Sequence, residues 1–449
     1  MRLHTLLPLL LLTACAPGPV DEGAADAGGT GGTAGDAGVA CPAVPEEVAW
    51  PNAQSSATSD PWLAANHDRL TVLRPRVMAL NYVNARPMAD MRAKVEGVFA
   101  AMREGSRDHG YADACVKPFL EPQLAYAVDL RDPNPPPAGY AYRNSTRYPR
   151  ESPPSGSWGF DYGFLFTQDF ADQVADQVGV KDPSGSGRNL TLCELSERGL
   201  VHEVWVYGDA DVPDVTAAEV LTLTPRHDAR GVRVPGAPLD RCAGNGCFDA
   251  DDAIPAACQR TLRIAWLNQS RGPGCFLESL SHGIESLGNG PRILPPFARD
   301  FMPFAFFDMD ARFGTPFSSW YACPYDGECL SYPAEKTVRY TVQGTTAQLS
   351  PYVPACGSAH FPPNARRHYD VGNPASVPST CKRWRQGEGG ASPEDAVSAA
   401  DWARYGTLAP DCTGPFLVWW WQNFPGPRRL ARDPTSGAPM KNWWPYLYY

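Results

Sequence analysis

Glu278, His282 and Glu285 follow one another at i, i+4 and i+7 in the stretch Glu278-Ser279-Leu280-Ser281-His282-Gly283-Ile284-Glu285-Ser286. At about 100° per residue a helix would place the three within a stripe roughly 60° wide. A carboxylate, an imidazole and a second carboxylate on one stripe can bind a divalent metal or carry acid/base chemistry. His360, from a distant segment, could supply a fourth group. The candidate catalytic set is therefore Glu278, His282, Glu285, His360 and Glu203. The candidate metal ligands are His282, Glu285 and His360, with zinc or calcium as the ion. Glu203 is included because it follows His202 inside an apolar strand, where a buried carboxylate needs a partner.

Other chemistry is poorly supported. Gly272-Pro273-Gly274 lacks the third glycine of a dinucleotide-binding loop. Cys275 lies on a strand-to-helix turn, where a nucleophile would sit, but Pro273 and Leu277 flank it where an elbow motif has glycine. A disulfide is the better reading for Cys275. The acidic groups Asp308/Asp310 and Asp249/Asp251/Asp252 do not have EF-hand spacing and read as solvated acids. With no organic cofactor motif, hydrolysis is the default reaction class.

The helical stripe also has an ordinary reading. Leu277, Leu280, Ile284 and Leu287 occupy the opposite face, and a polar stripe opposite an apolar one is what any surface helix presents. The stripe becomes a site only if the loops after residue 290 fold over it and bring His360 to His282.

The elements that must position these residues alternate along the chain. Val77 to Leu80 is a buried strand ending at Asn81-Tyr82. Pro87 opens a helix in which Met88, Met91, Val95, Val98, Phe99 and Met102 recur at helical spacing, and Gly105 ends it. Leu124 to Leu130 is a strand, and Asp132 to Gly139 a proline-rich loop. Phe170, Val174 and Val178 mark a helix stopped by Gly179. Leu200 to Tyr207 and Leu262 to Leu267 are strands, and Cys275 to Leu287 is the helix bearing the stripe. This alternation predicts an α/β domain with a mainly parallel sheet, whose ligands would collect at the carboxyl ends of the strands.

From about residue 290 the composition turns to proline, aromatics and cysteine, which predicts long disulfide-stabilised loops draped over the core. Val338 to Val342 reads as an isolated strand. Trp320, Trp384, Trp402, Trp419-Trp420-Trp421 and Trp443-Trp444 lie here. Most should fill the core, although exposed tryptophans would make stacking platforms for sugars. An extended Trp443-Trp444 could not turn both rings inward. Lys plus Arg number 39 against 49 Asp plus Glu, a formal charge of −10, which gives no surface for nucleic acid.

The first residues predict export. Met1 to Thr5 carry Arg2, Leu6 to Leu12 form a leucine-rich run too short to span a bilayer, and Leu12-Thr13-Ala14-Cys15 follows. That ending resembles the lipobox of bacterial lipoproteins. The resemblance implies cleavage before Cys15, lipidation of its thiol and a membrane anchor. Ala16 in the next position favours the outer membrane or cell surface. Val20 to Ala40, as in Gly28-Gly29-Thr30-Gly31-Gly32-Thr33, reads as a tether. The chain thus divides into a signal peptide (1–14), a lipidated linker (15–45) and one large α/β domain (46–449), loop-rich from about residue 290. Of the 13 cysteines, Cys15 is set aside and an even number remains, as expected of an oxidising compartment. Cys242/Cys247 and Cys323/Cys329 are close enough in sequence to close local loops.

Several stretches together resemble a group of secreted, often multidomain bacterial proteins. They are His202-Glu203-Val204-Trp205-Val206-Tyr207-Gly208, the Glu278–Ser286 segment, His360-Phe361-Pro362-Pro363-Asn364, Tyr369-Asp370-Val371-Gly372-Asn373, Trp419-Trp420-Trp421 and Asn442-Trp443-Trp444-Pro445-Tyr446. The resemblance spans about residues 75 to 449. Ser281 stands where glycine is usual. The group supplies no catalytic assignment, but its stretches travel together, which implies that they form one site. The resulting expectation is a surface lipoprotein that hydrolyses a polysaccharide, peptidoglycan or other polymer. The alternative is a non-catalytic lipoprotein that binds a glycan or a partner through its aromatic loops.

Overall fold

In the computed structural model, five strands form the central sheet: β1 (Arg76–Asn81), β2 (Gln123–Asp129), β3 (Glu203–Gly208), β4 (Val220–Leu223) and β5 (Leu262–Asn268). Their order is β2–β1–β3–β5–β4. The first four run parallel, and β4 pairs antiparallel with β5 at one edge. The residues described are 41, 46–55, 59–132, 144–151, 158–209, 215–216, 219–249, 252, 254–317, 319–342 and 344–449. The signal peptide, Cys15, the tether and most of the Asp132–Gly139 loop lie outside them, as does Asp251. Residues 43–449 make one compact unit.

Both faces of the sheet are covered, as a largely parallel sheet requires. Alternate residues face opposite ways. Val77, Ala79, Trp205, Tyr207, Ala265 and Leu267 join one apolar cluster. Met78, Leu80, Val204, Val206, Ile264 and Trp266 join the other, with Phe160, Phe166, Phe170, Leu192 and Leu195. The first face carries α1 (Met88–Gly105) and α2 (Pro273–Gly288). After α2 come α3 (Pro295–Phe304) and, much later, α4 (Gly414–Gln422), which packs on both α1 and α2.

The strand and helix expectations hold for β1, β2, β3, β5, α1 and α2. The Phe170–Val178 helix is two short helices, Gln168–Gln173 and Ala175–Val178, and Gly179 stops the second at φ 56°. Four readings need correction. Val338–Val342 is no isolated strand but part of the middle strand, β7 (Thr337–Val342), of an antiparallel sheet with β6 (Leu330–Ala334) and β8 (Thr345–Leu349). Trp419-Trp420-Trp421 is helical rather than loop: α4 is buried nearly all round, so it has no polar face to make a period. Trp443 and Trp444 are both buried, because the chain turns into a 3-10 helix (Trp444–Tyr448) instead of extending. Asp310 is not solvated; it is buried and accepts a bond from Thr315 Oγ1, while Asp308 pairs with Arg312.

The predicted disulfides Cys242–Cys247 and Cys323–Cys329 are present, joined by Cys193–Cys258, Cys275–Cys412 and Cys356–Cys381. Cys275–Cys412 fastens the start of α2 to the segment before α4. Beside it, Asp411 accepts from the backbone N–H groups of Gly272 and Gly274, capping the helix. A side chain at Gly274 would lie 2.1 Å from the Asp411 carbonyl oxygen, which explains Gly272-Pro273-Gly274 without a nucleotide.

Candidate functional site

α2 turns its acid–imidazole stripe away from the sheet and under the segments at 321–329 and 358–370. Glu278 and Glu285 are buried, and the His282 side chain is 10% exposed. His360 arrives from the loop region, its ring centroid 4.9 Å from that of His282. The stripe is therefore covered. It lies along the outer side of α2 rather than at the carboxyl ends of the strands, because the loops after residue 290 wrap this side of the helix.

The ligand atoms of Glu278, His282 and His360 all lie within 4.8 Å of one another. His360 Nε2 is 2.9 Å from Glu278 Oε1, and His282 Nε2 is 3.9 Å from the same oxygen. Glu285 is arranged differently from the expectation that made it a metal ligand. Its Oε2 lies 2.9 Å from His282 Nδ1 and accepts from Tyr321 Oη at 2.9 Å, while its Oε1 accepts from the Ala359 N–H at 2.8 Å. Glu285 thus holds His282 from behind, and Glu278 takes its place in the ligand set. Helix geometry brings both carboxylates near His282; the loop contacts decide which one faces the other histidine.

The partners of the two imidazoles fix their tautomers. The Tyr321 carbonyl can only accept, so His368 Nε2, at 3.1 Å, carries the hydrogen. Burial, with His360 nearby, lowers His368 to about 3 and keeps it neutral. Its Nδ1 is then an acceptor, and His360 Nδ1, 3.0 Å away, must donate to it. A neutral His360 consequently turns a lone pair at Nε2 toward the lone pairs of Glu278 Oε1. His282 repeats the pattern: Nδ1 donates to Glu285, and Nε2 faces Glu278. Lone pairs that face each other at this range need a proton or a cation between them. Glu278 Oε2 is buried with no hydrogen-bond partner.

The electrostatics agree. Burial pushes His282 down, but hydrogen bonds to Glu278 and Glu285 outweigh it and hold the imidazole well above its usual range. Burial pushes Glu278 up, but its bonds with His282 and His360 outweigh that and hold it well below the usual carboxylate range. Burial and the adjacent Glu285 raise the Tyr321 phenol well above its ordinary value.

Glu203 does not join this group. It is fully buried, 2.6 Å from Arg263 Nη1, and accepts from Trp205 Nε1 at 2.9 Å and Tyr448 Oη at 2.7 Å. All three partners are structural, and none shares a hydrogen bond with the histidines. The other acid–thiol group, Cys275, Asp411 and Cys412, is a disulfide beside a helix cap.

Sequence reasoning missed His368, Tyr321 and Tyr325, and it quoted Tyr369 without giving it a role. Tyr369 Oη donates to Glu278 Oε1 at 2.5 Å and lies 3.2 Å from His360 Nε2. Tyr325, 42% exposed, projects from the Cys323–Cys329 loop and stacks on His368 at 4.4 Å between ring centroids. His360–Asn364 and Tyr369–Asn373 close on each other through reciprocal amide bonds, Asn364 to the Asn373 carbonyl at 2.9 Å and Asn373 to the Asn364 carbonyl at 2.7 Å. Trp421 Nε1 donates to Ser281 Oγ at 3.0 Å, one residue from His282.

Comparison with protein-family models, with curated proteins and with solved structures returns no match, so the site stands on its own geometry. Trp205, Trp320, Trp384, Trp402, Trp419, Trp420, Trp421, Trp443 and Trp444 are all buried, as a core role for most of the tryptophans requires; Phe317 and Tyr325 are exposed aromatics in the loop region. Among the described residues no helix is long and apolar enough to cross a membrane.

Proposed function

We propose that this chain is an exported, lipid-anchored hydrolase with a divalent-metal centre held by Glu278, His282 and His360. One observation carries the reading: both imidazoles turn Nε2 to the same oxygen of Glu278, while Glu285 and His368 hold their Nδ1 atoms from behind. Two histidines and a glutamate are a zinc-hydrolase type of donor set, and a carboxylate behind a ligating histidine is the usual way its tautomer is fixed. When bound, the ion would polarise a carbonyl and acidify a water. The protein's own part is to orient the donors. Glu285 and His368 set the tautomers, and the Tyr321 phenol steadies Glu285. The substrate proposed is a cell-wall or environmental polymer, because the lipobox at Cys15 would hold the domain at the outer membrane or cell surface.

Elemental analysis of purified protein, with hydrolysis of peptidoglycan and polysaccharide screened on the same sample, tests this. One zinc per chain is expected, with zinc and activity lost together in His360→Ala. A metal-free wild type, or His360→Ala with full activity, would overturn it. Separately, Cys15→Ser should move the protein to the soluble fraction or leave an unprocessed precursor. Normal processing with unchanged detergent-phase partitioning would count against lipidation.

A further inference from the structure

Tyr369 is a bulky residue in the left-handed region, at φ 58°, which such side chains rarely adopt. Local bonds keep it there. Its N–H donates to the His360 carbonyl at 3.0 Å, its carbonyl accepts from the Val371 N–H at 2.7 Å, and the next residue, Asp370, is held by Arg366 at 2.9 Å. The effect is to aim the phenol at Glu278 and His360. Filling a core would not need this, and the ring is only half-buried. Backbone held in a sparse region next to a polar cluster is a recurrent mark of functional geometry.

The phenolic oxygen lies where a donor belongs. It is 2.5 Å from Glu278 Oε1 and 3.2 Å from His360 Nε2. Donors bound at about 2 Å to one ion are themselves about 3 Å apart. The nearby phenol of Tyr321 is committed to Glu285 instead. Two imidazole nitrogens and one carboxylate leave a tetrahedral ion one position short.

We propose that Tyr369 completes the centre as its fourth protein ligand in the resting state, through the phenolic oxygen. This rests on the metal reading of Glu278, His282 and His360 given above. On binding, the O–H bond breaks, the oxygen's electron pair goes to the ion, and the proton leaves to solvent. Because a catalytic centre keeps one position for substrate, the phenol is also the ligand that must swing away when substrate enters. Like His282 it is only partly buried, and it lies against Tyr325 of the loop above.

The test uses copper(II) as a spectroscopic probe and zinc(II) for stoichiometry on the full chain. Phenolate bound to copper(II) gives a visible charge-transfer band that imidazole and carboxylate ligands do not give. The expected result is one equivalent of zinc and, with copper, a visible band that disappears in Tyr369→Phe and persists in Tyr325→Phe. Stoichiometric metal uptake by wild type without the band would overturn the phenol ligand while leaving the metal centre standing. A band that survives in folded Tyr369→Phe, or vanishes in Tyr325→Phe, would overturn it too. Failure of wild type to take up either metal would overturn the underlying metal reading, and this proposal with it. The wild-type spectrum decides even if Tyr369→Phe does not fold.

Discussion

Two buried glutamates in this protein sit near each other in kind but not in circumstance. Glu203 has a guanidinium, an indole N–H and a phenol on its two oxygens, and both oxygens are satisfied. Glu278 has two imidazoles and a phenol gathered at one oxygen, and its other oxygen has no partner. A completed hydrogen-bond shell makes a structural ion pair. An incomplete shell, with two imidazole nitrogens turned to the same oxygen, is a place for something to bind. Burial and charge alone would have ranked the two sites equally.

The largest effect should come from the satisfied site. Glu203→Ala would strand Arg263 in the interior and cost about 3–5 kcal/mol of stability. Chemical denaturation should show that loss, while the folded fraction still binds metal with wild-type stoichiometry. If metal uptake fell with Glu203 while stability held, the division between the two sites would be wrong.

A smaller effect should come from behind the open site. Glu285→Gln leaves one acceptor oxygen where two are used, so an amide that keeps the Ala359 N–H bond turns its NH2 group to His282 Nδ1 and no longer fixes that tautomer. Losses of this kind weaken metal affinity about 10–100-fold. A competition titration against a chelator reads it directly. An unchanged affinity would mean that Glu285 does not position His282.

The smallest and most graded effect is on pH. In the metal-free protein His282 is raised above 6.5 and Glu278 lowered below 4.5. A raised imidazole contributes stability that is complete below 6.5 and fades as pH climbs through its folded value. A lowered carboxylate contributes stability present above 4.5 that fades as pH falls through its folded value. The pair therefore steadies the metal-free fold most between these limits. The same proton on His282 must leave when a cation enters, and a ligating Tyr369 gives up a second, so zinc affinity should rise by about a hundredfold per pH unit while both remain protonated, and by about tenfold where only one proton leaves. Affinity that is flat with pH across the neutral range would show that neither group gives up a proton on binding.

These contrasts also mark what the sequence could and could not disclose. α1 was legible because its pattern is periodic: Met91, Val95, Val98 and Met102 keep one face of it to the core, whereas β1 was legible as a short continuous apolar run, Val77 to Leu80. α4 was not, because Phe416 to Trp421 is apolar on every side, and a helix buried all round has no period to read. β4 was too short to stand out. The Glu278–His282–Glu285 stripe was legible from helical spacing. The exchange of roles between the two carboxylates was not, since it depends on Tyr321 and Ala359 reaching Glu285 from far along the chain. His368 and Tyr369 were hidden for the same reason: their value lies in what they face, and no local pattern encodes that.

The staple at the start of α2 sets a timetable for the whole centre. Cys275 must wait for Cys412, 137 residues later, and the capping carboxylate of Asp411 arrives at the same moment. A chain emerging amino end first exposes Glu278 and His282 early, then His360 and Tyr369, and only afterwards the residues that pin the helix beneath them. Between residues 282 and 360 it offers only two of the donors, and until Cys412 emerges the helix that bears them is unanchored. If the centre takes an ion as proposed, stable capture would thus be deferred until nearly the entire domain is present, and a loaded centre would be a certificate that folding has finished.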